Sequence, residues 1–520
     1  MKNNTLMINL NKNKRILGVC FEPWETEIVA STISILTQKG VFSESALLIG
    51  DIFQIRFPYA IKKLNSIISD YAIQSFSLKD EFFSWQNKGF SKANSGIKIN
   101  NWAVLNNLSR STRTLFNSDH VFSCYERFPY YKPLSQVEKE TIFYDICLKI
   151  SQAIDNFKPE VIFCLEHNYV VKNIVSDIAK ANNIQMETLI YSRIKNYYYF
   201  SDSFGMKFSE KMLKLYDKVS DSSMSAAINF VNDRATQTNK APLYIGCTEI
   251  KVSALFGAKK KPIQAVCADG FKLAKNFALK IRDRIRSSDI IALPNTERYG
   301  SVWWRTDIYH ILNFFRNFRY TFFGIRKAIS SIPEIPYILY PLHYRPESST
   351  LTLGVGAKDE DAITFICRRL PFGVKLAVKE NPAMIGDRRN SFYRKIAAID
   401  GVVLIDPLLS TIELVKKSIG VIGISNTTLL EAGLEDVPSH AMGEPEFKEF
   451  LTSSGWDLVE KFMVDCSKGT ATSCKDSLIH YLAYVFDSKI DVDLGWPSVE
   501  TKESVFFAAN KIANGLLKII

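Results

Sequence analysis

Apolar positions along the chain fall into two alternating kinds of segment. Short, almost uninterrupted apolar runs occur at 15–21 (RILGVCF), 46–50, 160–167 (EVIFCLEH) and 186–194 (METLIYSRI). Between them lie longer stretches whose apolar residues recur at three- and four-residue spacing: 22–40, closing at Gly40, a long stretch closed by Pro159, and 169–182. A run that is apolar at every position predicts a strand buried on both faces, and the intervening amphipathic stretches predict covering helices. The alternation predicts a parallel sheet wrapped by helices.

From about 205 to 330 the pattern becomes mostly helical and less regular. Trp303, Trp304, Phe314, Phe315, Phe318, Phe322 and Phe323 are interleaved there with Arg305, Arg316, Arg319 and Arg326. This reads either as an amphipathic helix on an anionic membrane surface or as a helix packed between domains with its arginines reaching out to water. SIPEIP at 331–336 is a proline-punctuated break. Beyond it, strand-like runs at 337–340, 374–378, 402–405 and 419–424 alternate with helix-like segments at 359–370, 388–399, 410–417 and 427–432. The pattern divides the chain into 1–330 with a helical insertion over about 205–330, a second α/β domain at 331–498, and a terminal amphipathic helix at 499–520.

A chain of 520 residues with 47% hydrophobic and 23% charged positions is long enough for two or three ordinary globular domains. The formal charge of +11 suits an anionic ligand, an anionic surface or nucleic acid without choosing among them. Basic residues are densest at Lys259, Lys260, Lys261 and from Lys272 to Arg286, where a solvated helix face is the plain reading. The nine cysteines show no CxxC and no Cys/His metal spacing, so buried reduced thiols are expected, as in a cytosolic protein. No leader pattern and no long uncharged apolar stretch is seen, so no spanning helix is expected. Nucleic acid is disfavoured because no recognised binding module is present.

In an open α/β sheet, ligands sit beyond the carboxyl ends of the strands. In the second half those ends carry His343, Arg345 and Glu347, then Lys379, Glu380 and Asn381, then Asp406, then Ser425, Asn426 and Thr427. The last cluster precedes TLLEAG, so its side chains are expected to cap a helix whose free N–H groups bind a phosphate. Lys379 and His343 would neutralise a diphosphate or phosphodiester leaving group. Glu431, one turn into that helix, would reach a ribose hydroxyl, or simply face solvent. A catalytic base is expected from the first half, from Glu166 and His167 after EVIFCLEH, or from Glu25 and Glu27 after the first run, with Asp202 a third choice. Asp491-Val492-Asp493 matches a metal-binding D-x-D, here read as chance; no P-loop, GxGxxG or HExxH occurs.

The ordered set YPLHYRPESST, PFGVKLAVKENPAMIGDRRNSFYRKI, GVVLIDP and a Ser/Thr-rich turn with LLEAG resembles the bacterial capsule and surface-polysaccharide synthesis family, which includes the β-Kdo transferases. It spans roughly 335–447, about a fifth of the chain. The resemblance implies a GT-B-like fold, two Rossmann-like domains facing a cleft, with the nucleotide held by the second domain and no metal required there. It further implies a cytoplasmic enzyme, touching the inner membrane at most peripherally. Such an enzyme transfers a sugar such as Kdo from a nucleotide-sugar donor, CMP-linked in that case, to a polysaccharide or glycolipid acceptor. His343, Lys379, Asn381 and Ser425 to Thr427 would hold the nucleotide phosphates, and Glu347 would orient the donor or order its loop. Asn381-Pro382 stands where the family has His-Pro, and asparagine carries neither charge nor proton. GLEDVPSHAMGEPEF replaces the usual Gly-Lys-Pro-Val segment. A sialyl- or glycerolphosphate transferase of similar fold, or a catalytically degenerate assembly subunit, are the alternative readings.

Overall fold

The structure, a computed structural model, describes residues 14–20, 23–50, 66–71, 73–78, 108, 136–165, 170–194, 196–202, 210–236, 275, 315–316, 319, 325, 327–343, 354, 358–381, 384, 388–494 and 501–520. The first unit contains β1 (Arg15–Cys20), α1 (Pro23–Gln38), β2 (Glu44–Ile49), β3 (Gln74–Ser77), α2 (Gln136–Phe157), β4 (Val161–Leu165), α3 (Val170–Ala181), β5 (Gln185–Tyr191), β6 (Tyr197–Ser201), α4 (Glu210–Tyr216) and α5 (Asp221–Thr236). The second contains β7 (Tyr337–Pro341), α6 (Asp359–Cys367), β8 (Lys375–Lys379), α7 (Asn390–Ala397), β9 (Val402–Ile405), α8 (Thr411–Lys417), β10 (Gly420–Gly423), α9 (Thr428–Leu434), β11 (Ser439–Ala441), β12 (Ser453–Ser454), α10 (Val459–Lys468) and α11 (Lys475–Ser488). β13 (Ile490–Asp491) and α12 (Lys502–Leu516) end the chain.

Two Rossmann-like sheets result, as the alternating pattern predicts. The first runs β13-β6-β5-β4-β1-β2-β3, parallel except that β6 pairs antiparallel with both of its neighbours, β5 and β13. The second runs β12-β11-β10-β7-β8-β9, with its strands paired in parallel among the described residues. Counted within the second unit, that is the 3-2-1-4-5-6 order of a doubly wound sheet. The apolar runs are continuous because both faces are covered. On β1, Leu17 and Val19 enter one core while Ile16 and Cys20 enter the other. Gly18 lies between them because α1 presses on the strand there: an added Cβ would stand 2.5 Å from Val29 Cγ1.

The C-terminal segment returns to the first unit. β13 joins β6, ahead of the 498 boundary read from the sequence. α12 starts at a capping box in which Thr501 and Ser504 exchange side-chain and backbone bonds. Val505, Ala508, Ala509, Ile512, Ala513 and Leu516 form its buried stripe, in one core with Ile28, Ile33 and Leu36 of α1. Burying each of the three larger residues of that stripe contributes about 1.5–3 kcal/mol. The two units also share a core: Ile190, Ile194 and Tyr199 pack with Leu429, Phe447, Tyr481 and Tyr484. The described cysteines are free thiols, most of them buried. Among the described residues no helix is long and apolar enough to cross a membrane. Most of the aromatic and arginine-rich stretch at 303–326, the lysines at 259–261 and all but Lys275 of the basic residues at 272–286 lie outside the described residues.

Candidate functional site

Strand order decides where the second sheet opens. Strand order reverses between β7 and β10, the point at which an open sheet of this kind places its ligand crevice, at the carboxyl edge. His343 follows β7 and Ser425 follows β10. The His343 imidazole spans the crevice: Nε2 accepts the Ser425 backbone N–H (3.2 Å), and Nδ1 lies 3.0 Å from Asp359 Oδ1. Accepting at Nε2 leaves the ring proton on Nδ1, donated to the carboxylate. The Asn426 amide nitrogen donates to the Pro341 carbonyl (3.1 Å) and lies 3.4 Å from His343 Nε2. Gly423 leaves room for that amide, since an added Cβ would sit 2.7 Å from Asn426 Nδ2.

Behind the imidazole is a dry charged network. Asp359, at the first position of α6, accepts from Tyr340 Oη (3.2 Å) and is 3.1 Å from Arg388 Nη1. Arg388 Nε is 3.0 Å from Glu380 Oε2, which also accepts from Tyr393 Oη (2.6 Å), and its other arm reaches the His343 carbonyl. Burial alone would lower the Arg388 guanidinium; Glu380 and Asp359 outweigh it and hold it above its ordinary value. Burial pushes the Glu380 carboxyl up, while Arg388, Tyr393 and the Asn381 N–H pull it back. One guanidinium thus serves two buried carboxylates and stays charged.

Lys379 ends β8, next to β7. Its side chain is 3% exposed and donates to the Pro407 carbonyl (3.1 Å), using one of three ammonium donors. Burial lowers its pKa to about 8, against the opposing pull of Glu380, Asp406 and Glu431. Glu431 is therefore a buried carboxylate under the rim, 7% exposed, and not a solvated helix residue. Asn381 is half-buried, and its backbone N–H donates to Glu380 Oε1 (2.7 Å). His343, Lys379, Asn381 and Ser425 to Thr427 thus share one rim, built from adjacent strand ends.

Two expectations about that rim are corrected. His343 is not a free donor, because both ring nitrogens are engaged within the protein. The turn before α9 lacks the expected side-chain cap: Thr427 occupies the cap position without a side-chain capping bond, and the Ser425 N–H is taken by His343. Glu347 and Arg345 lie outside the described residues.

The first sheet has its own reversal, between β1 and β4. Glu25 sits in the first turn of α1, 2% exposed, and pairs with the Lys172 ammonium from α3, which also donates to the Leu165 carbonyl. Glu25 is thus a carboxylate held by a buried cation. Glu27, two residues on, is 8% exposed. Glu166 and His167 lie outside the described residues. Asp202 follows β6, which runs antiparallel to β5, so it stands at the edge opposite the β1 and β4 ends. Asp491 lies in β13, which sets the D-x-D at the margin of the first sheet. No group of metal-ligating side chains occurs among the described residues.

Sequence reasoning missed Asp359, Arg388, Lys172, Arg193 and Glu446. Only Asp359 carried a local signal, as an acidic residue opening a helix-like segment; the others are paired by topology alone.

Neither a family model nor a curated protein sequence matches the chain. Among solved structures it is similar to the β-Kdo 2,4 transferase KpsC of Thermosulfurimonas dismutans (TM-score 0.31, 9% identity, covering 63% of this chain and 79% of that one). It is also similar to a glycosyltransferase of Rickettsia africae (0.24, 10%, 98% and 99%). A third is S. aureus MnaA with UDP (0.22, 12%, 90% and 94%). At these scores the likenesses identify no family, and the fold statement rests on the two parallel sheets.

Proposed function

We propose that the chain is a glycosyltransferase that takes a nucleotide-sugar donor at the carboxyl rim of the second sheet. The supporting observation is the meeting of His343 and Ser425 at one strand-order reversal, with the buried Lys379 at the end of the neighbouring strand. Lys379 is the electrostatic element. In a dry site a fixed ammonium stabilises the charge that develops on a departing phosphate more effectively than water does. The acceptor hydroxyl attacks the anomeric carbon, the bond to the donor phosphate breaks, and the nucleotide leaves with the negative charge. The hydroxyl proton passes to a base, for which the sequence offers Glu166 or His167. Glu25 is the weaker choice because Lys172 already holds it.

The finer reading is a cytidine nucleotide carrying Kdo or a related acidic sugar, and a surface polysaccharide or glycolipid acceptor. Calorimetry with CMP-, CDP-, UDP- and GDP-linked compounds tests it. Cytidine compounds should bind best, and Lys379→Ala should weaken them about tenfold or more. Preference for a purine nucleotide, or indifference to the substitution, would overturn this assignment.

A further inference from the structure

Ser425 is held from both halves of the molecule. Its N–H is bonded to His343 of the second unit (3.2 Å), and its carbonyl accepts from Arg193 Nη1 (2.8 Å). Arg193 belongs to the first unit, in the turn between β5 and β6, and adopts φ 63, a backbone conformation that non-glycine residues rarely take. Its Nε lies 2.6 Å from Glu446 Oε1, with the arginine side chain 11% and the glutamate side chain 0% exposed. The guanidinium carbon stands 6.0 Å from the Phe447 ring centroid. One planar fork therefore serves two acceptors, a carboxylate and a carbonyl, that lie on different loops of the second sheet.

We infer that Arg193 is a positioning residue for the rim: it fixes the Ser425–Asn426 turn from the far side of the domain boundary. Its role in donor binding rests on the function proposed above; its role in ordering the turn does not. A guanidinium suits this task and an ammonium does not. The fork has donors aimed in fixed, different directions, whereas lysine offers a single centre on a flexible stem. The buried Glu446 keeps Arg193 in place, since burial pushes that carboxyl up and the guanidinium opposes it. The first unit thereby braces a donor rim whose other named members all come from the second.

Arg193→Lys is the primary test, in the full chain. It keeps a positive charge beside Glu446 and gives up the second bond. If it fails to fold, the double variant Arg193→Met with Glu446→Leu removes both buried charges together, a change that proteins often tolerate. Gly515→Ala is the control. An added Cβ there would lie 2.3 Å from Ile490 Cδ1, which lowers stability at the first sheet without touching the turn. Two quantities are read: hydrogen exchange at the Ser425 amide and CMP affinity by calorimetry. The Arg193 variants should exchange that amide about tenfold faster or more, and bind CMP about tenfold more weakly. Gly515→Ala, at a matched melting temperature, should change neither beyond about twofold. Equal effects in control and variant, or an unchanged amide in the Arg193 variants, would overturn the inference. A wild-type chain that ignores CMP while its Arg193 variants lose the protected amide would uphold the positioning role and defeat the cytidine donor.

Discussion

Replacing Lys379 with methionine separates what the rim costs from what it binds. Burial brings the Lys379 pKa from 10.5 to about 8, which corresponds to about 3 kcal/mol at 1.36 kcal/mol per unit. The sign follows from proton counts. Below about pH 8 the ammonium is charged in both folded and unfolded chains, and the full cost of burying it is present. Between about 8 and 10.4 the unfolded chain holds the proton that the folded chain has released, so stability rises with pH. Above that window the cost is gone.

Methionine has a stem of similar length and no charge, so Lys379→Met removes the cost but strands the Pro407 carbonyl, a penalty of about 1–3 kcal/mol if the carbonyl stays dry. The variant should therefore match or exceed wild type in stability near pH 7 and fall below it above about pH 10. The difference between the two proteins should change by about 3 kcal/mol across the window. Urea midpoints of both proteins across that range provide the assay, because other groups cancel in the comparison. Affinity should move the other way. A bound phosphate favours the charged lysine, so wild-type CMP affinity should weaken above about pH 8 while the variant binds weakly at every pH. A wild-type-minus-variant difference that stays flat from pH 7 to above 10 would refute the burial argument.

Three further outcomes are expected. His343→Ala leaves the Ser425 N–H without its acceptor, at a cost of about 1–3 kcal/mol in urea unfolding, and the Ser425 amide should exchange faster. His440, buried in β11 between Ser453 Oγ (2.7 Å) and the Gly455 carbonyl (2.9 Å), is pushed by burial to about 4. Stability from this group is complete above about pH 6.5 and falls by about 3 kcal/mol as pH drops through 4, a slope that His440→Leu should lack in acid titrations. Gly433→Ala would place a Cβ 2.2 Å from Leu478 Cδ1 and 2.7 Å from Cys474 Sγ. That overpacking should cost about 1–3 kcal/mol and be partly relieved by Leu478→Ala in a double-mutant cycle.

Much of the second sheet was legible because its strands are covered on both faces. β7, β8, β9 and β10 read as apolar runs, and their carboxyl ends pick out His343, Lys379 and Ser425 by topology alone. β11 and β12 are too short to show a period, and β6 hides in a tyrosine run at the antiparallel margin of the first sheet. Partnerships were not legible at all. His343 meets Ser425 across 82 residues, and Arg193 meets the same residue across 232. No spacing rule spans such separations; only the assembled sheets bring the groups within bonding distance.

That limit has a physical consequence for the site itself. A strand-end residue is placed by its own sheet, but whether it faces a ligand or a neighbour depends on what the rest of the chain brings to it. At the β1/β4 reversal Lys172 occupies Glu25, and at the β7/β10 reversal Asp359 and Ser425 occupy His343. In both crevices a candidate named from the sequence is committed to an internal partner. Lys379 differs, since Pro407 accepts from one of its three donors and burial lowers its pKa to about 8. A cation held at the cost of burial, beside a histidine already committed to internal bonds, is where an incoming phosphate gains most from charge. The binding energy should accordingly concentrate at Lys379, with His343 and Arg193 setting the geometry it acts through.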